Sequence, residues 1–323
     1  MIKASILDFR TPLPLIIEPQ ADPSSAARVD WLIASSSYYG AAIERALLKH
    51  GAILFRGFGV NTPSTFLRFL QCASQDLLSY VDGNSPRRRI TKGIYTSTEY
   101  PAQYFISLHN ELSYSNQWPS KLYFCCINEA SRGGETPIAD SREVLKRLSP
   151  RIVKEFTRRG VKYIRNLHRG YGFGPSWQDT FETCDKSVVA KYCSAAAIDF
   201  KWIEDETLRL THVRPAVADH PKTGEQVWFN QADQFHPSTH PIELYESLMA
   251  ICGGREEHLP QYACFGDDTP IEASALEEIR EITRGSASIF PWQKGDVMLI
   301  ENMLVCHGRM PYSGPRKILV SMS

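Results

Sequence analysis

Tyr104-Phe105-Ile106-Ser107-Leu108-His109-Asn110-Glu111-Leu112-Ser113-Tyr114 is the stretch around which the rest of the chain is organised. Phe105, Ser107, His109, Glu111 and Ser113 share one parity. Successive side chains of a strand point to opposite faces, so a strand here projects His109 and Glu111 from the same face. Their Cα atoms would stand about 6.6 Å apart, two rises of about 3.3 Å, and side chains of that length can converge on one ion. A third ligand has to come from elsewhere. His307, in Cys306-His307-Gly308-Arg309 beyond the apolar run Val297-Met298-Leu299-Ile300, is the best-placed candidate.

Two histidines and one carboxylate that leave coordination positions open are the facial set of non-haem iron(II) oxygenases. Other histidines suit plainer roles. His236 and His240 are four apart, but Pro237 between them and the lack of a nearby glutamate base argue against a helical zinc pair. His220 opens the His220-Pro221-Lys222-Thr223-Gly224 turn, where backbone shape matters more than a titrating ring. Gly133-Gly134 is followed by no Lys-Ser/Thr pair to open a helix, so a phosphate loop is excluded. Cys306 is adjacent to His307, and in a strand its thiol therefore faces the opposite way, into the core.

The chain has 323 residues, enough for one large core, and no composition break divides it, so residues 1–323 are read as one domain. Lys and Arg number 36 and Asp and Glu 36, with a pI near 7.1, which suggests neither nucleic acid nor an anionic membrane as partner. Arg87-Arg88-Arg89 is the only basic cluster and reads as a solvated turn. The eight cysteines lie mostly in apolar segments without CxxC spacing, the pattern of free thiols in a reducing compartment. Asp8 interrupts any signal-peptide core, and no apolar run approaches the ~20 residues of a membrane span, so a cytoplasmic location is expected.

Four prolines at 12, 14, 19 and 23 make residues 1–36 an extended arm. A helix over 38–50 is closed by Gly51, a buried strand follows over 51–58, and a second helix starts at Asn61-Thr62-Pro63 and runs towards Leu78. Residues 87–100 read as a polar strand, 121–127 as another strand, and 131–136 as a glycine-bearing loop. Asp140 caps a helix over 141–148, and a second helix after Pro150 ends at Gly160. About 140–220 reads as a helical insertion, and its aromatics between 165 and 205 as core or lid over a pocket. Thr269-Pro270-Ile271-Glu272 is a capping box for a helix reaching Gly285, and 287–323 is short strands. Strands at both ends with helices between suit a mainly β, α+β fold: a double-stranded β-helix (jelly roll) with helical insertions.

Several ordered motifs carry a family resemblance. They are Gly51 to Phe58, His109-Asn110-Glu111, Gly133-Gly134-Glu135-Thr136, His220 to Gly224, His307-Gly308-Arg309 and Gly314-Pro315-Arg316-Lys317-Ile318. In order and spacing, over roughly residues 38–323, they resemble the TauD/TfdA family of iron(II)/2-oxoglutarate-dependent oxygenases. Residues 95–101 and 227–231 resemble its SyrP-like branch, found in natural-product biosynthesis. The resemblance implies Fe(II) on His109, Glu111 and His307, 2-oxoglutarate as co-substrate, and dioxygen. It also implies Thr136, twenty-seven residues after His109, as a contact to the co-substrate. A dicarboxylate needs a cation for its distal end, and an arginine fork pairs with a carboxylate bidentately. Arg316 is the choice, with Lys317 or Arg309 as alternatives because the distance from His307 is shorter than in taurine-type members.

Glu111 stands where many relatives have aspartate. A carboxylate there argues against halogenation, because halogenating relatives carry glycine or alanine at that position. The implied reaction is hydroxylation of an unactivated carbon of an amino acid or amino-acid-derived substrate, free or tethered to a peptidyl carrier protein, with succinate and CO2 as co-products. Desaturation or cyclisation by the same oxidative chemistry, sulfonate scavenging of the taurine type, and a non-catalytic metal- or ligand-binding β-helix protein are the rivals. For substrate, Glu99, Asn230 and Arg309 lie in segments that resemble pocket-forming stretches, and Arg87 or Arg165 could meet a substrate carboxylate.

Overall fold

The computed structural model describes residues 2–8, 11–20, 28–30, 32–34, 40–74, 76–85, 87–203 and 206–323. Its largest sheet has eight strands, in the order Ile2–Asp8, Thr11–Pro19, Ala52–Phe55, Val297–Glu301, Lys121–Asn128, Lys317–Met322, Ile94–Thr96 and Arg89–Thr91. Opposite it lies a smaller sheet of Ile106–His109, Val305–Arg309 and Ile138–Asp140. Strands from both ends of the chain are interleaved in each, and this is the jelly-roll core the sequence pattern implies.

Side-chain alternation decides what each face of the large sheet meets. Ile53, Phe55, Tyr123, Cys125, Val297 and Leu299 point outward and pack on Leu47 of the helix Gly40–His50 and on Phe66, Phe69 and Leu70 of the helix Pro63–Ala73. Their neighbours Ala52, Leu54, Leu122, Phe124, Cys126, Met298 and Ile300 point inward, to an interior shared with Ile138, Val305 and Trp292. Period-two alternation puts apolar residues on both faces here, so each strand reads as a continuous apolar run. Each such side chain contributes about 1.5–3 kcal/mol when fully buried.

Punctuation residues act as their chemistry dictates. Gly51, at φ 73°, donates to the Leu47 carbonyl and ends its helix. Thr62 caps the Pro63–Ala73 helix, its hydroxyl accepting from Thr65 N. Asp140 Oδ1 accepts from Arg142 N (2.8 Å) at the start of Ser141–Arg147, and Gly160 closes Pro150–Arg159.

Elsewhere the structure corrects the expectation. Residues 11–19 are no arm lying over the body: Thr11–Pro19 pairs antiparallel with Ile2–Asp8 and parallel with Ala52–Phe55, and Leu13 and Ile16 fill the interior. The prolines, which lack an N–H, masked a strand. The remainder of the expected arm lies largely outside the described residues, as do the first two residues of the expected 38–50 helix. The second helix stops at Ala73. Residues 87–100 hold a hairpin, Arg89–Thr91 with Ile94–Thr96, turned at Gly93 (φ 74°). The glycine loop contributes a two-residue strand, Arg132–Gly133, paired with Tyr312–Ser313. The capping box at Thr269 does not form; its hydroxyl and N–H donate to Asp267 Oδ1 (2.6 and 3.2 Å), and the helix is Ala273–Gly285.

The insertion is built on strands as much as helices. Asp199–Trp202, Leu208–Arg214, Val161–Leu167 and Gln261–Phe265 form a four-stranded sheet. Trp177, Phe181, Val189 and Cys193, from the helices Trp177–Phe181 and Lys186–Ala195, pack on its Leu167, Leu208 and Leu210. The aromatics therefore divide: Trp177 and Phe181 are core, whereas Tyr171 and Phe173 are exposed. Arg165 is buried and pairs with Asp82.

His212, buried against Tyr114 and Tyr163, makes this sheet sensitive to acid. Burial, helped by the nearby Arg165 charge, pulls its pKa from 6.5 down to about 4. The unfolded chain therefore binds a proton that the folded chain refuses between those values, and stability present above pH 6.5 is lost as pH falls towards 4. Denaturant titrations across that window should show His212→Phe losing about 3 kcal/mol less than the wild type. Parallel curves would mean the ring is protonated in the fold.

Candidate active site

The strand Ile106–His109 ends at its histidine, and the chain then turns; Leu112 adopts φ 55° and Ser115 N donates to the Leu112 carbonyl (2.8 Å). Glu111 is therefore not on a strand, and its convergence with His109 does not come from shared parity. A fully buried residue from the far end of the chain supplies it. Asn302 Oδ1 accepts from Glu111 N (2.8 Å), while Asn302 Nδ2 donates to the Glu111 and Pro119 carbonyls (both 2.9 Å).

His307 enters by strand pairing. It sits directly across from His109 in the antiparallel pair of Val305–Arg309 with Ile106–His109, ring centroids 4.5 Å apart. Gly308 permits that approach, because a Cβ there would stand 2.5 Å from the Ile106 carbonyl oxygen. Phe124, from the inner face of the large sheet, packs on the His307 ring at 5.1 Å.

One ligand-type atom from each of His109, Glu111 and His307 lies within 4.8 Å of the others, and among the described residues this is the one such cluster of three. His307 Nε2 is 3.8 Å from Glu111 Oε2. His109 Nδ1 lies 2.8 Å from the Ser107 carbonyl and 2.9 Å from Gln234 Nε2, so the ring is held through Nδ1 and Nε2 is the nitrogen left for an ion. Burial holds both imidazoles below their ordinary pKa, His307 well below, so both are neutral. Two neutral imidazoles and one carboxylate fit a divalent first-row metal.

Glu111 has two further partners. Tyr80 Oη donates to its Oε1 (3.3 Å), and Arg87 Nη2 to its Oε2 (2.6 Å). Arg87 is buried with its guanidinium 4.1 Å over the Tyr80 ring, so the basic cluster is no uniform solvated turn; Arg88 alone of the first two is exposed.

A space of about 30 Å³ adjoins the histidines, lined by Thr136, Arg316, Arg87, Ile106 and Phe124. Arg316 Nε donates to the Gly134 carbonyl (2.8 Å) and Nη1 to Ser97 Oγ (3.2 Å). Gly134 permits this seat: it has φ 78°, and a Cβ would meet Arg316 Cδ at 3.0 Å. Burial and the nearby Arg309 charge pull the Arg316 pKa down to about 10. Arg316 makes no ion pair among the described residues. Thr136 Oγ1 accepts from Trp292 Nε1 (3.1 Å) and so keeps its own proton to donate.

Of the other expected residues, Arg309 lines the same space, but its Nη1 and Nη2 donate to the backbone carbonyls of Tyr100 (2.7 Å), Pro101 (2.6 Å) and Tyr104 (2.9 Å). Lys317 is exposed. Asn230 is buried and ties Ala216 to Ala232, while Glu99 is exposed beside Arg88 and lines, with Arg87, a larger neighbouring cavity. His220 is structural, Nδ1 accepting from Thr223 N (3.1 Å) and Nε2 lying 3.0 Å from Glu301. Cys306 faces the core, its Sγ donating to the Ala139 carbonyl (3.4 Å). The sequence reading missed Asn302, Tyr80 and the Arg87–Glu111 pair, since no local pattern links residues so far apart.

A jelly roll with such a cluster defines a metal-dependent oxygenase class. The family described as Taurine catabolism dioxygenase TauD, TfdA family matches residues 18–322, and the chain belongs to it. The Dapdiamide synthesis protein DdaC of Enterobacter agglomerans is 36% identical over 87% of this chain and 84% of its own. A clavaminate synthase-like protein of Arabidopsis thaliana is 30% identical over 96% and 93%. PvcB, an Fe, alpha-ketoglutarate dependent oxygenase from an isonitrile synthetic pathway, shares the fold at TM-score 0.53 and 13% identity, covering 99% of this chain and 91% of PvcB. The chain is thus a dioxygenase that uses iron(II), 2-oxoglutarate and dioxygen. No helix among the described residues is long and apolar enough to cross a membrane.

Asn302→Ala leaves the Glu111 N–H and carbonyl without partners in a dry interior. At about 1–3 kcal/mol per orphaned group, the variant should unfold about 2–4 kcal/mol earlier in denaturant titrations and load less iron. A loss under about 1 kcal/mol would show that the turn stands without the clamp.

Proposed function

We propose that the protein hydroxylates an unactivated carbon of an amino-acid-derived substrate in natural-product biosynthesis, in the cytoplasm, with His109, Glu111 and His307 as the iron ligands. The observation that carries this reading is the convergence of those three residues beside Arg316, a part-buried cation that makes no ion pair among the described residues. Relatives named for dapdiamide synthesis and for an isonitrile pathway support a biosynthetic role. Eight free cysteines suit a reducing compartment.

When bound, iron(II) with 2-oxoglutarate and dioxygen would supply the oxidising chemistry for hydroxylation, with succinate and CO2 as co-products. The protein's part is to position and to exclude. Ser107 and Gln234 hold the His109 ring through Nδ1, which leaves Nε2 for the metal. Asn302 holds Glu111 at the required depth. Arg316 pairs its fork with the distal carboxylate of 2-oxoglutarate, helped by the Thr136 hydroxyl, since Arg309 is committed and Lys317 faces outward. Ile106 and Phe124 keep water from the reacting centre. Glu111 fills the coordination position that a halide would need, so hydroxylation is favoured over halogenation.

The test is succinate formation by anaerobically purified, iron-loaded protein given oxygen and 2-oxoglutarate, across free and carrier-tethered amino acids. Stimulation by one substrate is expected; protein that binds no iron would sink the reading. His109→Ala and Glu111→Ala should each abolish turnover with the circular dichroism spectrum unchanged. Arg316→Ala should raise the 2-oxoglutarate KM at least about tenfold, the loss of one charge-assisted pair. An unchanged KM would move the anchor elsewhere.

A further inference from the structure

Arg87 separates two spaces. It lines the 30 Å³ pocket at the histidines and also a neighbouring cavity of about 750 Å³, whose walls include Tyr80, Tyr95, Phe173, His240 and Leu259. Only Nη2 of its guanidinium is used, on Glu111; Nε and Nη1 are buried with no partner. Unsatisfied buried guanidinium N–H groups are costly unless a ligand completes them. The other arginine of this cavity, Arg88, is exposed and faces Glu99 at 3.5 Å. A divalent cation held by Glu111 would share the carboxylate that Arg87 now pairs with and add a positive neighbour, so Arg87, with Nε and Nη1 unpaired, would favour a second carboxylate from the cavity side.

We propose that the 750 Å³ cavity is the substrate site and that Arg87 receives a free carboxylate of the substrate at its inner end, next to the reacting centre. The inference rests on the oxygenase reading and narrows it. We assign this carboxylate to the C-terminus of the substrate, the group a carrier-protein thioester would consume, and so commit to a free acid. Cavity size narrows it again. Ten heavy atoms, about those of a single amino acid, take about 300 Å³ even at the loose packing of liquid water. The cavity therefore suits an extended acid, such as an N-acylated amino acid or a dipeptide.

The probes are N-acetyl dipeptides, each as the C-terminal acid and as the C-terminal amide, titrated calorimetrically into anaerobic protein loaded with iron(II) and 2-oxoglutarate. Acids should bind about 10- to 100-fold more tightly than their amides, the range of one charge-assisted pair. Arg87→Gln should close that gap to within about threefold, and Arg87→Lys, which keeps the charge without the fork, should leave part of it. Acids and amides that bind alike in the wild type, or a gap that survives in both variants, overturns the proposal. Iron content and the Kd for 2-oxoglutarate are measured in parallel. A 2-oxoglutarate Kd raised by the same factor in Arg87→Gln assigns the guanidinium to the co-substrate; variants that fail to load iron make it a positioning residue for Glu111. Either result also overturns the proposal. Wild-type protein that takes up no iron sinks the oxygenase reading instead, and the acid–amide gap is then read without metal.

Discussion

The grip of Asn302 on both backbone groups of Glu111 is the constraint on which the site depends. His109 leaves its strand at the point where Glu111 must begin, so the peptide of Glu111 would lie buried with no sheet partner. One asparagine amide, with a donor and an acceptor in one plane, completes it from the turn between Val297–Glu301 and Val305–Arg309. That turn precedes the strand carrying His307. One connection therefore sets the depth of the carboxylate and the register of the second imidazole.

Buried arginines divide the remaining work by what completes them. Arg165 has Asp82 and is structural; Arg309 has three carbonyls and holds residues 100–104. Arg316, which makes no ion pair among the described residues, and Arg87, with two unpartnered nitrogens, border the space beside the histidines together with Arg309, whose Nε alone lacks a partner. A guanidinium cannot discharge at ordinary pH, so incomplete burial of that kind creates a standing demand for an anion. Two such demands at one centre match a reaction with two acidic reactants, the keto acid and an acidic substrate.

The large sheet ties this chemistry to stability. Its inward row sets Phe124 against His307, while the outward row, one residue out of step, anchors the two N-terminal helices. A one-residue slip would exchange the rows and destroy core and site together.

Motif order, the residue types at 109, 111, 136, 307 and 316, the helix caps at Thr62 and Asp140, and the apolar runs were legible in the sequence, because each is a local property of a few neighbouring residues. The strand at 11–19 was hidden by its prolines, and the capping box at Thr269 lost to a turn closed by Asp267. His109 and Glu111 do come together, but strand parity is not what brings them there. Which polar groups would be buried, and which of them would be left incomplete, depends on contacts between segments up to about two hundred residues apart. By itself the sequence determined the ligands on offer and the elements that carry them. The tertiary structure alone decided that Asn302 would aim Glu111, that Arg309 would be consumed by backbone carbonyls, and that Arg87 would stand between two cavities with one edge free, because desolvation, which gives each of those contacts its weight, exists only once the chain has closed around them.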